Sequence, residues 1–176
     1  MNSSFVRILL LLLALLMPLE AWGQVQSRYV TLRYGNKLIL HDFNDELVLS
    51  RKLRYHLKNK NIVTVKDEVT AKLDVIIEKA EVVLAMFPDD LHITIVLLAS
   101  RKDVAAMYKS KYGKRANHIS YYSLREKTIY ISVDDTRLRV IAHEIGHAIV
   151  DQYFKVRPPY NIHELMAQFT EKHISD

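Results

Sequence analysis

The chain of 176 residues contains no cysteine, one tryptophan, four glycines and four prolines. Without cysteine it can form no disulfide bond and can carry no lipid anchor of the cysteine-linked kind. So few glycines leave little room for long flexible linkers, and the sequence has no internal repeat or low-complexity segment. The length is sufficient for one domain with its own hydrophobic core and is short for two.

Long apolar runs are also scarce, and the one at the N-terminus is short. Residues 8–17 are all apolar, follow Arg7 and end at Pro18. A run of this length is well below the roughly 20 residues that a membrane-spanning helix needs. The pattern predicts that residues 1–23 are a signal peptide, with an uncleaved N-terminal anchor as the alternative. We therefore expect residues 24–176 to form a single exported domain, periplasmic or secreted in a bacterium, with no membrane span after cleavage.

The formal net charge is +5 at pH 7, but no single segment concentrates it. A nucleic-acid-binding surface is typically a dense basic stripe with interleaved aromatic residues. The nearest candidate, residues 108–115, fits a solvated helix end better, and an exported location disfavours nucleic acid further. The sequence therefore predicts no nucleic-acid partner.

Hydrophobic periodicity predicts the secondary structure of the N-terminal half. Residues 28–34 alternate as a strand does, and the turn signal that follows predicts a hairpin with residues 37–41 as the returning strand. Asn44 is in position to cap a helix that runs to about residue 59. Apolar residues recur at helical spacing over residues 69–87, which predicts a long amphipathic helix backing a sheet.

The C-terminal half is predicted to hold three strands and three helices. The first strand is a continuous run rich in β-branched residues, which is typical of a central strand buried on both faces. In chain order the six elements are residues 91–99, 100–112, 118–122, 128–133, 137–154 and 162–174. The expected helix caps are Ser100 or Asp103, residues 134–136, and Asn161. This order predicts one α+β domain, a small mixed sheet with packed helices followed by two C-terminal helices.

The helix over residues 137–154 contains the sequence His143-Glu144-Ile145-Gly146-His147. Two histidines four residues apart on a helix project from the same face. Their imidazoles can share one tetrahedral zinc ion, while Glu144 reaches a water bound to that metal. Gly146 is a poor helix former, costing about 1 kcal/mol relative to alanine. Its position between the histidines predicts the close approach of a neighbouring helix.

A catalytic zinc needs a third protein ligand and keeps one coordination position for water. A metzincin-like site would place a histidine six residues after His147, but Tyr153 stands there. The last predicted helix offers His163 and Glu164 instead. These neighbours point about 100° apart on a helix, and the residues alone leave both open.

Here the chain resembles the gluzincin family of zinc metallopeptidases, which place a glutamate ligand on the helix after the HExxH helix. Residues 164–168, Glu-Leu-Met-Ala-Gln, match the Glu-x-x-Ala core of the family's segment, and the resemblance covers residues 121–174. The linker is a few residues shorter than in the large members, and Leu165 replaces the usual glycine. The small size is more similar to minimal single-domain gluzincins or bacterial peptidase-MA-like proteins.

The resemblance implies a zincin-like fold with an HExxH active-site helix and a C-terminal ligand helix. It also implies one Zn²⁺ on His143, His147 and Glu164, with Glu144 as the general base in peptide-bond hydrolysis. An acidic residue soon after the glutamate ligand often orients a histidine in the family, and Gln168 holds that position here.

Zincins bind an extended peptide or protein substrate along a sheet edge strand just before the zinc helix, and residues 128–133 occupy that place. The resemblance therefore implies that Ile129, Tyr130 and Ile131 bind substrate. A donor for the oxyanion usually comes from a tyrosine or histidine in such enzymes. The candidates in this chain are Tyr153, Tyr160 and His173.

Alternatives to an active peptidase stay open at the level of sequence. One is a domain with the same fold that binds metal without cleaving, or that serves envelope interactions. Another is a binding or structural protein in which the HExxH pattern is accidental. A third is a latent protease blocked by residues 24 to about 60. Intact Glu144 favours catalysis, because that residue serves chemistry and not folding.

Overall fold

The computed structural model describes residues 22–176, so all but the last two residues of the predicted signal peptide lie outside the described part. This part contains five strands and six helices: β1 (Gly23–Gln26), β2 (Val30–Tyr34), α1 (Lys37–Glu46), α2 (Arg51–Leu57), α3 (Val65–Leu84), β3 (Ile93–Leu98), α4 (Arg101–Tyr112), β4 (Ser120–Ser123), β5 (Thr128–Ser132), α5 (Leu138–Tyr153) and α6 (Tyr160–His173). None of these helices is long and apolar enough to cross a membrane.

The strands form one mixed sheet in the order β1-β2-β3-β5-β4. The central strand β3 runs parallel to β2 and β5, whereas β1 and β4 pair antiparallel with their neighbours. The architecture is α+β with a mixed sheet, as the sequence predicts.

The two faces of the sheet carry hydrophobic cores of different size. On one face, Ile93, Ile95 and Leu97 of β3 belong to the larger core, which side chains from α1, α2, α3 and α5 complete. On the other face, Val96 and Leu98 belong to a smaller cluster beneath α4. Because successive side chains of a strand point to opposite faces, β3 is buried on both, as predicted for a central strand.

Local capping interactions define the first turns of α3 and α4. Thr64 caps α3 by accepting from the backbone N–H of Asp67, whose side chain bonds back to Thr64. At the start of α4, the Asp103 carboxylate accepts hydrogen bonds from the backbone N–H and the hydroxyl of Ser100. Gly113 ends α4 with φ of 68°, a left-handed conformation that glycine adopts without strain.

The predicted hairpin with residues 37–41 as returning strand is wrong, because this segment is the first turn of α1. Asn36 starts that helix by accepting a hydrogen bond from the backbone N–H of Ile39 at 3.0 Å. Helical spacing then buries Leu40 and Phe43 in the larger core. The antiparallel partner of β2 is β1, which precedes it in the chain.

Two predicted N-caps in the sequence are also wrong. Asn44 lies inside α1, where its side chain accepts from Lys72 and donates to Glu68, and Ser50 caps the next helix instead. Asn161 lies inside α6, which begins at Tyr160 with Pro159 as its N-cap.

The cap that residues 134–136 were expected to supply for α5 is absent as well, because Arg137 is the N-cap and makes no side-chain capping bond. Asp135 accepts hydrogen bonds from Arg101 and Ser132 instead. Thr136 donates to the backbone carbonyl of Ser132.

The prediction that residues 128–133 form an edge strand is wrong, because β5 lies between β3 and β4. Both sides of its backbone are paired, so Ile129, Tyr130 and Ile131 cannot add a further strand. The sheet edge next to the HExxH helix is β4. Its backbone is paired on one side, toward β5, and its other side is free of any partner strand within residues 22–176.

Candidate metal centre

Two closely packed helices carry the candidate site. A side chain at Gly146 on α5 has no room, because an added Cβ would lie 2.9 Å from the Thr170 hydroxyl and 3.0 Å from the Ala167 Cα of α6. The sequence predicted such a close approach, and it is confirmed. The glycine lets α6 lie against the same face of α5 from which the two histidines project.

The described structure brings His143, His147 and Glu164 together as a group that could bind a metal ion. The Nε2 atoms of the two histidines are 3.2 Å apart. Glu164 lies 3.6 Å from His143 Nε2 and 3.4 Å from His147 Nε2 through its two carboxylate oxygens. Donors bound tetrahedrally to zinc at about 2.0–2.1 Å would be about 3.3 Å apart, so the spacing fits one ion.

Each histidine of this group is held by a second side chain through its other ring nitrogen. His143 Nδ1 lies 3.2 Å from a carboxylate oxygen of Glu171. His147 Nδ1 lies 2.8 Å from His163 Nδ1, and those two rings stack 5.0 Å apart. Metal-binding imidazoles commonly donate their second N–H in this way, which fixes the ring orientation and the tautomer.

The orienting residue expected from the sequence was Gln168, which has a different partner. Its amide donates to Glu164 Oε1 at 3.1 Å and so contacts the third ligand residue and neither histidine. Glu171 was missed, although it follows Glu164 by seven residues and therefore lies two turns further along the same helix face. His163, the alternative third ligand that the sequence offers, is not a member of the three-residue group. It instead contacts His147 from behind.

Burial keeps the two stacked imidazoles neutral. It lowers the pKa of His147 to about 3, and the neighbouring His143, His163 and Arg157 act in the same direction. Burial also lowers the pKa of His163, with Arg157 contributing. Both rings are therefore uncharged at neutral pH, the state in which a histidine nitrogen can coordinate a metal or accept a hydrogen bond.

Glu144 lies beside the three-residue group and is only 6% exposed. Its Oε1 accepts a hydrogen bond from the Ser120 hydroxyl at 2.6 Å, and the backbone N–H of Tyr122 donates to the same carboxylate. Burial raises the pKa of Glu144 above the usual carboxyl range, against the effect of these two donors. A carboxylate with a raised pKa accepts a proton more readily than an exposed one.

The two donors to Glu144 come from neighbouring parts of β4, the Ser120 hydroxyl on the face of α5 and the Tyr122 N–H on the free side of the strand. The backbone N–H of Ser132 donates to the backbone carbonyl of Ile119. In an antiparallel pair the direction of the backbone groups alternates, so the N–H and C=O groups of residues 119, 121 and 123 point toward β5. Ser120 and Tyr122, which lie between them, direct their backbone groups away from the sheet. The edge strand therefore lies directly beside the buried carboxylate.

A cavity of about 570 Å³ opens over these groups and is lined by the metal-site residues and by both faces of β4. Of the three candidates for an oxyanion donor, Tyr160 lines this cavity and is 72% exposed. Tyr153 lines a separate cavity near residues 87–90. His173 stacks on Phe169 and contacts the Asp176 carboxylate outside the cavity.

Arg157 is a lining residue that sequence reasoning missed. It lies in the loop between α5 and α6 and is exposed to the same cavity. Within residues 22–176 its guanidinium makes no hydrogen bond or ion pair, so it is available to an anionic group in the cavity. Two larger cavities, of about 850 Å³ each, lie elsewhere, and neither is lined by His143, His147 or Glu164.

Comparisons with known proteins found no matching family model, no matching curated protein and no matching solved structure. The assignment of the site therefore depends on its own geometry and chemistry.

Proposed function

We propose that the protein is a zinc-dependent peptidase of gluzincin type, with a zincin-like fold. The observation that carries this proposal is the spacing of the donor atoms on His143, His147 and Glu164, together with a buried carboxylate beside them. Two imidazoles and one carboxylate are a typical protein ligand set for catalytic zinc. Each histidine is also oriented from behind, which supports a metal centre over an accidental cluster.

A zinc ion bound there supplies a Lewis acid that activates water and polarises the scissile carbonyl group. Glu144 acts as general base, accepting the proton that the attacking water loses and passing it to the leaving amine. Tyr160 and Arg157 face the same cavity and donate to the carbonyl oxygen as negative charge develops on it.

The substrate is an extended peptide or protein segment that pairs with the free side of β4. The backbone groups of Ser120 and the backbone carbonyl of Tyr122 face that side, and pairing there would bring the peptide across the cavity beside Glu144. This arrangement replaces β5 as the substrate-binding strand, because both sides of β5 are already paired.

Metal content and peptide cleavage, measured together on purified protein, test the proposal. We expect one zinc per wild-type chain and cleavage of a quenched fluorescent peptide pool. Glu144→Gln should keep the zinc and lose activity by about a hundred- to ten-thousandfold. Glu164→Ala should lose both. Glu78→Ala is the matched control, since this carboxylate on α3 contacts Lys60 far from the site and should retain both. Retention of stoichiometric zinc by Glu164→Ala would contradict the ligand assignment.

A metal-binding domain without activity is the second candidate function. The observation that favours it is the engagement of the Glu144 carboxylate by Ser120 and by the Tyr122 backbone. Stoichiometric zinc without cleavage of any peptide in the pool would establish this alternative over the peptidase.

We also propose that the protein is exported and loses residues 1–23 as a signal peptide. N-terminal sequencing of protein recovered from the periplasm or culture medium of a bacterial host should give Gln24 as the first residue. A chain that stays in the membrane fraction with its N-terminus intact would show an anchor instead.

A further inference from the structure

A cluster of aromatic rings lies on the sheet face opposite the metal centre. We call it the aromatic cluster: Tyr108, Tyr112, His118, Tyr121 and Tyr130. The Tyr108 ring is central, 4.7 Å from Tyr112, 5.0 Å from His118 and 5.1 Å from Tyr121 between centroids. The contact between Tyr108 and Tyr121 is edge to face, at 90°. Edge-to-face contact is a favourable arrangement for aromatic rings, and such a surface can accept one more ring in the same way.

The aromatic cluster is open where a ligand would meet it. Tyr112 is 40% exposed and His118 is exposed, whereas Tyr121 and Tyr130 form the buried floor. The Tyr121 hydroxyl is buried and has no hydrogen-bond partner among residues 22–176. The fold therefore leaves a polar group unsatisfied at this place, a condition that calls for a specific explanation in a native structure.

One cavity joins the aromatic cluster to the metal centre around the free side of β4. Tyr108, Tyr112, His118 and Tyr121 line the same 570 Å³ as the metal-site residues. Its size is within the range of protein ligand sites. A molecule bound at the metal can therefore reach the rings without crossing a barrier of protein.

The pairing geometry of β4 determines which part of a bound peptide reaches the rings. Ser120 and Tyr122 point to the face of α5, where they bond to Glu144 and Asp151, and Tyr121 points to the face of α4. A peptide strand added to the free side alternates in the same way, so every second side chain points toward the face of α4.

We propose that the aromatic cluster is a specificity subsite that accepts an aromatic side chain of a peptide bound along β4. The proposal rests on the peptidase function above and adds the substrate class: extended segments with an aromatic residue at one fixed distance from the scissile bond. The incoming ring inserts between Tyr112 and His118 and makes edge-to-face contacts with the existing rings.

Peptide binding to the zinc-loaded Glu144→Gln protein tests the subsite without cleavage. Alanine-based, fluorescein-labelled peptides would carry one phenylalanine, or one leucine as the apolar control, at each position in turn. By fluorescence anisotropy, phenylalanine at one position should bind about three- to tenfold tighter than leucine there. When Tyr112→Ala and His118→Ala are both introduced into the Glu144→Gln protein, the preference for phenylalanine should disappear. Tyr112→Phe keeps the ring and should retain it, as should Tyr55→Ala, which alters an exposed tyrosine on the remote helix α2.

The possible outcomes separate this inference from the peptidase proposal. Binding and cleavage without a preference for phenylalanine at any position overturn the subsite and leave the peptidase intact. The same holds if the preference persists in the Tyr112→Ala and His118→Ala protein with its far-ultraviolet circular dichroism unchanged. If wild-type protein binds zinc but neither Glu144→Gln nor wild-type protein binds any peptide of the series, both proposals fail together.

Discussion

The two faces of β4 differ in how they connect to the rest of the molecule. On the face of α5, Ser120 and Tyr122 form polar bonds to carboxylates of one helix. On the face of α4, Tyr121 contacts its neighbours through stacked and edge-to-face rings, and its hydroxyl has no partner among the described residues. Hydrogen bonds hold individual atoms in position, and a catalytic group must be held in this way. Ring contacts, in contrast, leave a surface that can adapt to a ligand. One short strand thus separates the candidate metal centre from the proposed recognition surface.

The largest expected difference between the two faces concerns metal affinity. Glu171→Gln should weaken zinc binding about 10- to 100-fold, because the carboxylate that orients His143 becomes a neutral amide. Glu126→Gln alters a carboxylate on the opposite face, where it contacts Lys111 and Tyr130, and should leave zinc affinity unchanged. Competition with a zinc-responsive chelator dye measures both. Equal losses in the two variants would mean that the metal centre responds to general destabilisation and not to the orienting bond.

The neighbouring tyrosines of β4 give a second, smaller contrast, in stability. Tyr122→Phe removes the hydroxyl that donates to Asp151 at 2.9 Å and should lower the free energy of unfolding by about 1–2 kcal/mol. Tyr121→Phe removes a hydroxyl with no partner in residues 22–176. The free energy of unfolding should therefore fall by less than about 0.5 kcal/mol, or rise. Urea unfolding of zinc-free protein measures both. A larger loss for Tyr121→Phe would show that its hydroxyl has a partner, such as an ordered water.

The parts of the fold that the sequence predicts well are those whose signals are local. The helical periodicity of α3 is contained within one segment, and α4 begins at the predicted cap Ser100. The histidine pair of α5 is likewise a property of one helix. The N-terminal error shows the opposite case. Asn36 and Asn44 are equally competent caps, and the choice depends on burying Phe43 and on the bonds of Asn44 to the distant helix α3.

The candidate site likewise combines residues that local signals predict with contacts that depend on the tertiary structure. His143, Glu144 and His147 follow from spacing on one helix, and the resemblance added Glu164. Which strand forms the edge depends on the order of strands in the sheet, which no segment of the sequence encodes by itself. The orienting contact of Glu171 depends on how α6 lies against Gly146 of α5, and that is a property of tertiary packing.

The smallest expected contrast concerns the pH dependence of cleavage, tested by one serine on each face. The Ser120 hydroxyl stabilises the charged form of Glu144 and so opposes the rise in pKa that burial causes. Ser120→Ala removes that donor, so the pKa of Glu144 should rise further. A general base must be deprotonated, so the acid limb of kcat/KM should move to higher pH. Activity below that limb should fall several-fold, by about tenfold for each 1.4 kcal/mol that the hydroxyl contributes to the charged form. Ser123→Ala removes the partner of Tyr112 on the other face and should leave the limb in place. A shift to lower pH in Ser120→Ala would mean that the hydroxyl stabilises the protonated acid, and Glu144 would then need a different role.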